Sequence, residues 1–303
     1  MKRIIVAAAA QMGPVSRAAS RHETVDRLRA MLARAAASGA GFVVFPELAL
    51  TTFFPRWLIQ DPAELDVFFE DMMPNLSVQP LFDDARRLSI GFYLGYAERA
   101  ASDAGTRRYN TSVLVGADGR LIGKYRKVHL PGFQEPQSDR SLQHLEKRYF
   151  APGDLGFPIF QAFGGRIGMC ICNDRRWPET YRMLALQGAE LIALGYNTPV
   201  EYSPDPKQQM LSDFHNHLVM QAGAYQNASW VIGVAKAGHE EGSNLIGGSV
   251  IIAPSGEIVA QARTLDDEVI VAECDLEAAA AYKRDMFDLA RHRRPDQYGL
   301  LVR

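Results

Sequence analysis

Only three cysteines occur in 303 residues: Cys170, Cys172 and Cys274. That is too few for a disulfide framework, and the odd count leaves one thiol over. A reducing, cytoplasmic setting is the expectation. The chain also lacks an excess of charge of either sign. Its 33 Lys and Arg stand against 35 Asp and Glu, a formal net charge of −2. The basic residues are scattered, so there is no electrostatic footprint for nucleic acid. No apolar run is long enough to span a membrane. Linkers, low-complexity tracts and composition breaks are missing too. One domain over residues 1–303 is expected, with a C-terminal arm from about residue 282. What remains is ordinary globular composition, 47% hydrophobic and 22% charged.

The opening "MKRIIVAAAAQMGP" has two readings. Lys2 and Arg3 before an apolar run resemble a short signal peptide. "RIIVAAAAQ" also reads as a buried first strand, and that reading is preferred. In "ETVDRLRAMLARAAASGA", Val25, Leu28, Met31, Leu32 and Ala35 recur at helical spacing, and Gly39 ends the run. "GFVVFPE" (41–47) then completes strand–helix–strand, the mark of an α/β layer fold. A helix near 78–88 precedes a strand at 90–99. "YNTSVLVGADGRLIGKYRK" (109–127) reads as two strands about an Asp-Gly turn. Residues 128–158 are rich in Pro and Gly, and a loop of that length is usually functional. The pattern resumes with strand 166–172, helix 177–187 and strand 190–195. A long helix near 209–228 follows, then strands at 229–236, 245–253, 257–263 and 268–274 and a helix near 276–290. Two sheets with helices outside are expected.

The stretch "MCICNDRRWPET" (169–180) poses the chemical question. Cys-x-Cys supplies two zinc ligands where four are needed, and no second pair exists. His215-x-His217 lies in a predicted helix, where i and i+2 point apart. Neither a metal nor a cofactor is expected. Cysteines at i and i+2 on one strand are too far apart to bond without distortion. Cys172 stands where an apolar strand opens into a polar loop, before a helix begun by Pro178. As a single residue it is equally well read as a nucleophile or as a buried apolar thiol. Glu47 stands directly after the apolar run "FVVF" and Lys127 ends the strand "GKYRK", and each alone reads as an exposed strand-end charge. The coincidence of a carboxylate, a cation and a thiol at three strand C-terminal ends is what points to a site.

"FPELALT" (45–51), "YRKVHLPG" (125–132) and "CNDRRWPE" (172–179) resemble the three signature segments of the nitrilase superfamily of carbon–nitrogen hydrolases. The resemblance spans nearly the whole chain, including "YFAPGD" (149–154) and "RRPDQYG" (293–299). It implies a four-layer α-β-β-α sandwich, an α/β fold, with a Glu-Lys-Cys triad at Glu47, Lys127 and Cys172. Within the superfamily, "ALTTFFPRW" (49–57), "HLEKRYF" (144–150), "CNDRRWPET" (172–180) and "GYNTP" (195–199) resemble the N-carbamoyl-D-amino-acid amidohydrolases. The implied substrate is a small N-carbamoyl amino acid, and the implied assembly a homodimer or homotetramer. A β-ureidopropionase or aliphatic amidase of the same superfamily is the alternative.

A urea carbonyl is a poor electrophile, so the reaction needs a strong nucleophile and a stabilised oxyanion. Cys172 is expected to attack, with Glu47 taking its proton and Lys127 stabilising the oxyanion and lowering the thiol pKa. The backbone N–H of Asn173 is a further oxyanion donor. Glu146 matches a second family glutamate and is expected to orient Lys127. Arg175 and Arg176 are candidates for the substrate carboxylate, since guanidinium meets carboxylate through paired hydrogen bonds; at least one is expected to do so. Asn197 either contacts the same carboxylate or serves as a turn residue. His129, His144 and His215 either line the site or serve as structural histidines.

Overall fold

Four consecutive alanines have high helical propensity, yet Ile4–Gln11 is a strand, β1, paired on both sides within a sheet. The computed structural model describes residues 2–102, 105–140, 142–202 and 205–302. The strands that follow are β2 (Phe42–Val44), β3 (Phe69–Glu70), β4 (Gly91–Ser102), β5 (Gly105–Val115) and β6 (Leu121–Arg126). Next come β7 (Ile159–Ala162), β8 (Gly165–Ile171), β9 (Leu191–Tyr196) and β10 (Trp230–Ala235). The last are β11 (Ala237–Glu240), β12 (Ser243–Ile246), β13 (Val250–Ile252), β14 (Ile258–Gln261) and β15 (Glu268–Asp275). One sheet has the order β15-β1-β2-β4-β5-β6 with β3 beside β4, and the other has β14-β13-β10-β9-β8-β7. β11 and β12 form a separate hairpin.

The helices are α1 (Arg21–Ala37), α2 (Pro62–Asp66), α3 (Gln79–Leu88), the single turn α4 (Glu146–Tyr149), α5 (Pro178–Leu186), α6 (Pro206–Met210), α7 (Ser212–Asn227), α8 (Ala280–Arg284) and α9 (Leu289–His292). Ser20 caps α1 in a reciprocal capping box with Glu23. The five residues at helical spacing in α1 are all buried.

Alternation along β1 explains the layers. Ala7 and Ala9 join the cluster between the two sheets, with Phe42, Val44, Ile167, Met169 and Ile171. Ala8 and Ala10 face the other way, into a cluster with Leu28, Met31 and Leu32 of α1 and Leu81 and Phe82 of α3. A strand covered on both faces is apolar throughout rather than alternating. Tyr181 and Leu184 of α5 and Met220 and Ala224 of α7 cover the second sheet. The result is the α-β-β-α sandwich.

Direction matters for the site. β2 and β4 run parallel, and β6, two antiparallel steps from β4, runs the same way. β8 and β9 are parallel in the other sheet. Residues just beyond β2, β6, β8 and β9 therefore leave their sheets at C-terminal edges, where α/β folds build sites.

Three boundaries differ from expectation. The predicted helix 209–228 breaks at Leu211 into α6 and α7. The predicted strand 245–253 divides into β12 and β13, because Gly247 and Gly248 are both left-handed, with φ of 61° and 71°. The predicted helix 276–290 gives way after Arg284. In the loop 196–209, residues 203–204 lie outside the described residues. No helix among the described residues is long and apolar enough to cross a membrane.

Candidate active site

Glu47 lies three residues beyond β2, in a segment gripped by both sheets. A Cβ on Gly95 of β4 would come within 2.7 Å of the Glu47 Cα, and one on Gly195 of β9 within 2.6 Å of its N. Only glycine permits that approach, so the two strand glycines let the carboxylate reach the space between the sheets. Lys127 follows β6 directly, and its N–H donates to the Asn110 carbonyl at 2.8 Å. Cys172 follows β8 and heads the 3-10 turn Cys172–Arg176 with φ of 47°. A left-handed non-glycine residue costs about 1–2 kcal/mol and persists only when its surroundings hold it. The first N–H groups of such a turn have no internal acceptor, and that of Asn173 is among them.

The side chains meet in the interior. Lys127 Nζ donates to Glu47 Oε1 at 2.7 Å and to Glu146 Oε2 at 2.6 Å. Both carboxylates and the ammonium are buried, and Cys172 is 2% exposed. Burial raises the Glu47 pKa above its ordinary 4.5, and Lys127 only partly offsets this. Burial works on Glu146 in the same sense, but Lys127 and His144 outweigh it and hold that pKa low. Burial opposes the Lys127 charge, yet Cys172, Glu146 and Glu47 more than reverse it and keep the ammonium protonated. Two carboxylates pushed apart in this way take different roles. Glu146 stays anionic, and Glu47 can accept a proton.

At the thiol, Lys127 acts in the expected direction but does not set the net shift. Lys127 and Arg175 both favour the thiolate, but burial and the Glu47 charge outweigh them, and the Cys172 pKa is raised. Burial and Glu47 thus favour the protonated thiol at Cys172. Sγ lies 3.9 Å from the Asn197 carbonyl. Among the described residues, Glu47 Oε2 and both polar atoms of the Asn197 side chain are buried with no protein partner. Leaving such groups unsatisfied costs about 1–3 kcal/mol each, a cost suited to a place where another molecule supplies the partners.

The other predicted residues separate. Arg175 is buried, and its guanidinium engages the nucleophile's own turn rather than open space. Arg176 is exposed, with Nη1 donating to Asn173 Oδ1 at 3.1 Å. Asn173 Nδ2 donates in turn to the His129 carbonyl at 3.0 Å. The ring of His129 pairs with Asp174 Oδ1 at 2.8 Å and stacks on Trp177, a structural arrangement. His144 is buried, with Nε2 at 3.4 Å from Glu146 Oε1. His215 is exposed on α7, beside Phe214 and away from the triad's hydrogen bonds. The inward residue there is its neighbour Asn216, which accepts from Arg175 Nε at 3.0 Å. His217 turns instead to the Gly248 carbonyl at 3.0 Å. Among the described residues, no three His, Cys, Asp or Glu side chains are grouped to hold a metal.

Sequence reasoning missed Asn110, whose Nδ2 donates to Glu47 Oε1 at 2.7 Å. An Asn inside a predicted strand was the available signal, since strands disfavour it. It also missed Asp174, a buried carboxylate that accepts from Tyr125 Oη at 2.7 Å and from the backbone of Ile171 and His129. A pocket of about 40 Å³, lined by Phe53, Arg56, His144, Pro199 and Leu245 among others, lies on the Glu146 side of the site.

The chain resembles known hydrolases over nearly its whole length. The carbon-nitrogen hydrolase family profile matches residues 6–284. An N-carbamoylputrescine amidase of Arabidopsis thaliana is 32% identical over 287 residues, covering 90% of this chain and 87% of the plant protein. A nitrilase of Pyrococcus abyssi is 31% identical over 269 residues, covering 88% of this chain and 90% of that protein. A citrullinase of Francisella tularensis is 27% identical, covering 93% of both chains. In structure, a carbon-nitrogen hydrolase from Helicobacter pylori superposes with a TM-score of 0.84, over 99% of both chains at 24% identity. An N-carbamoyl-D-amino-acid hydrolase is not among these relatives, so the finer branch is left to the chemistry. The chain belongs to the carbon-nitrogen hydrolase family, the nitrilase superfamily, whose hydrolases act on amide and carbamoyl C–N bonds through a cysteine nucleophile.

Proposed function

We propose that the protein hydrolyses N-carbamoyl-D-amino acids to the D-amino acid, ammonia and carbon dioxide. The observation that carries this reading is the buried cluster of Glu47, Lys127, Glu146 and Cys172 with exposed Arg176 four residues beyond the nucleophile. Glu47 Oε2 takes the thiol proton as Sγ attacks the ureido carbon. Lys127 and the Asn173 N–H stabilise the oxyanion. Glu47 returns the proton to the departing ammonia, leaving an N-substituted carbamoyl thioester on Cys172. Water, deprotonated by Glu47, cleaves the thioester to a carbamic acid and restores the thiol. The carbamic acid loses carbon dioxide and leaves the free amine. Asn197 offers a donor and an acceptor to the ureido group, and Arg176 a cation to the carboxylate. His144 acts through Glu146.

The names N-carbamoylputrescine amidase and citrullinase support a ureido carbonyl as the target. The D form rests on the resemblance of residues 49–57, 144–150, 172–180 and 195–199 alone. The plant relatives also favour a second reading, a ureido substrate whose far end is an amine. Ammonia release from N-carbamoyl-D-phenylalanine, its L form, β-ureidopropionate and N-carbamoylputrescine decides between them, with Cys172→Ala as control. Release from the D form alone, lost in the variant, supports the proposal. Release from the amine or β-substrate alone moves the protein to another branch, and full activity in Cys172→Ala removes the nucleophile.

A further inference from the structure

The two arginines after the nucleophile look equivalent in sequence, but the structure gives them different surroundings. Arg175 is among the largest fully buried side chains of the protein. Each guanidinium nitrogen has a partner: Nε donates to Asn216 Oδ1 at 3.0 Å, Nη2 to Thr198 Oγ1 at 2.9 Å and Nη1 to the Cys172 carbonyl at 2.7 Å. Nη1 also lies 3.7 Å from Cys172 Sγ. The guanidinium sits 4.4 Å from the centre of the Tyr196 ring. Its anchors are themselves anchored. Asn216 Nδ2 donates to Tyr196 Oη at 3.0 Å, and Tyr196 Oη donates to the Gly248 carbonyl at 2.8 Å.

What Arg175 grips is the strained residue. Cys172 is left-handed, and no glycine is there to make that cheap. The turn is held on both sides. Asp174 Oδ2 accepts the Ile171 N–H before it at 3.0 Å, and Arg175 takes the carbonyl of Cys172 itself. A planar fork with every nitrogen committed to protein is poorly placed to clamp a carboxylate, but it fixes a backbone carbonyl and the sulfur above it.

From this geometry we propose that Arg175 is a positioning residue for the nucleophile rather than the ligand of the substrate's carboxylate. It locks the left-handed turn at Cys172 and holds a permanent positive charge beside Sγ. This rests on Cys172 being the nucleophile, though on no particular substrate. The charged groups acting on Sγ are Glu47, Lys127, Arg175 and Glu146. Without Arg175, one ammonium remains against two carboxylates.

The test uses a probe with no carboxylate. Wild type, Arg175→Gln and Arg175→Lys are treated with iodoacetamide across a range of pH, and alkylation is followed separately at each cysteine by mass spectrometry. Arg175→Gln should alkylate Cys172 at least about tenfold more slowly at neutral pH, with the rate–pH midpoint about one unit higher. Arg175→Lys, which keeps a cation, should recover part of the rate. Both variants should lose kcat on ureido substrates with and without a carboxylate. Wild-type alkylation in Arg175→Gln, with loss confined to KM for carboxylate-bearing substrates, overturns the proposal. Rapid labelling of buried Cys170 and Cys274 would reveal a misfolded Gln variant. The Lys variant then decides: slower alkylation than wild type upholds the proposal, and an unchanged rate with raised KM overturns it. Because alkylation needs no substrate, it stands even if the carbamoyl reading fails. Full turnover by Cys172→Ala would instead remove the nucleophile assignment beneath it.

Discussion

Among the described residues, the buried ion clusters around Glu240 and Lys127 are built in opposite ways. Around Glu240, two cations surround one carboxylate. Its Oε1 accepts from Phe53 N–H, Thr52 Oγ1 and Arg56 Nη2, and its Oε2 from Val15 N–H and Lys236 Nζ. Burial opposes the Glu240 charge, but Lys236 and Arg56 outweigh it and its pKa is held down. Around Lys127, one cation serves two carboxylates, and Glu47 Oε2 is left without a protein donor. Its pKa is raised instead. The ingredients are the same. Saturation makes the first cluster a brace for the 51–56 segment, whereas the second keeps an unmet acceptor at Glu47 Oε2, as the proposed proton transfer requires. A buried ion pair is therefore not informative until its remaining lone pairs are counted.

The sharpest way to break this comparison is to neutralise each glutamate. Glu47→Gln should lower kcat by roughly 10²–10⁴, as expected for a lost general base. It should leave the urea midpoint close to wild type, since Lys127 keeps Glu146 and burial of a charge is relieved. Glu240→Gln should do the reverse and cost about 3–5 kcal/mol of stability, because Arg56 and Lys236 lose their counter-charge inside the protein. Equal destabilisation by the two variants would erase the distinction.

Acid separates the same two groups. The raised Glu47 pKa means its base form is lost as pH falls through a value above 4.5. The depressed Glu240 pKa means its stabilising contribution is fully present above its ordinary 4.5 and is lost only as pH falls through a lower, folded-state value. kcat/KM should therefore fail on acidification before the melting temperature does, as parallel titration of both from about pH 7 to 3 would reveal. Unfolding that precedes loss of activity would contradict the assignment. The smallest expected effect is at the exposed arginine. Arg176→Ala should raise KM for a carboxylate-bearing substrate about tenfold, as for one charged hydrogen bond of about 1.5 kcal/mol, and leave a carboxylate-free ureido substrate nearly unaffected.

Much of the fold was legible because period and burial agree. Val25 to Ala35 mark the buried face of α1, the apolar runs before Glu47 and Cys172 are strands, and so is the segment that Lys127 follows. What was not legible depends on partners distant in the chain. Asn110 is a polar residue in a strand until Glu47, 63 positions away, is placed beside it. Gly95 and Gly195 read as weak points in strands until the Glu47 segment passes between them. The histidines also needed the fold. His144 stands by Glu146, His129 is committed to Asp174, and His215 points outward while Asn216 points in.

Except for the breaks at Leu211, at Gly247 and Gly248 and after Arg284, most of the strand and helix order, and the family itself, were readable from the residues alone. Local spacing and residue chemistry suffice for these. Tertiary contacts were needed to show that Asn110 bonds Glu47, that burial raises the pKa values of Glu47 and Cys172, and that adjacent Arg175 and Arg176 have different partners. Each of these depends on burial and on the hydrogen bonds left over after packing, and those are set by residues brought together from opposite ends of the chain.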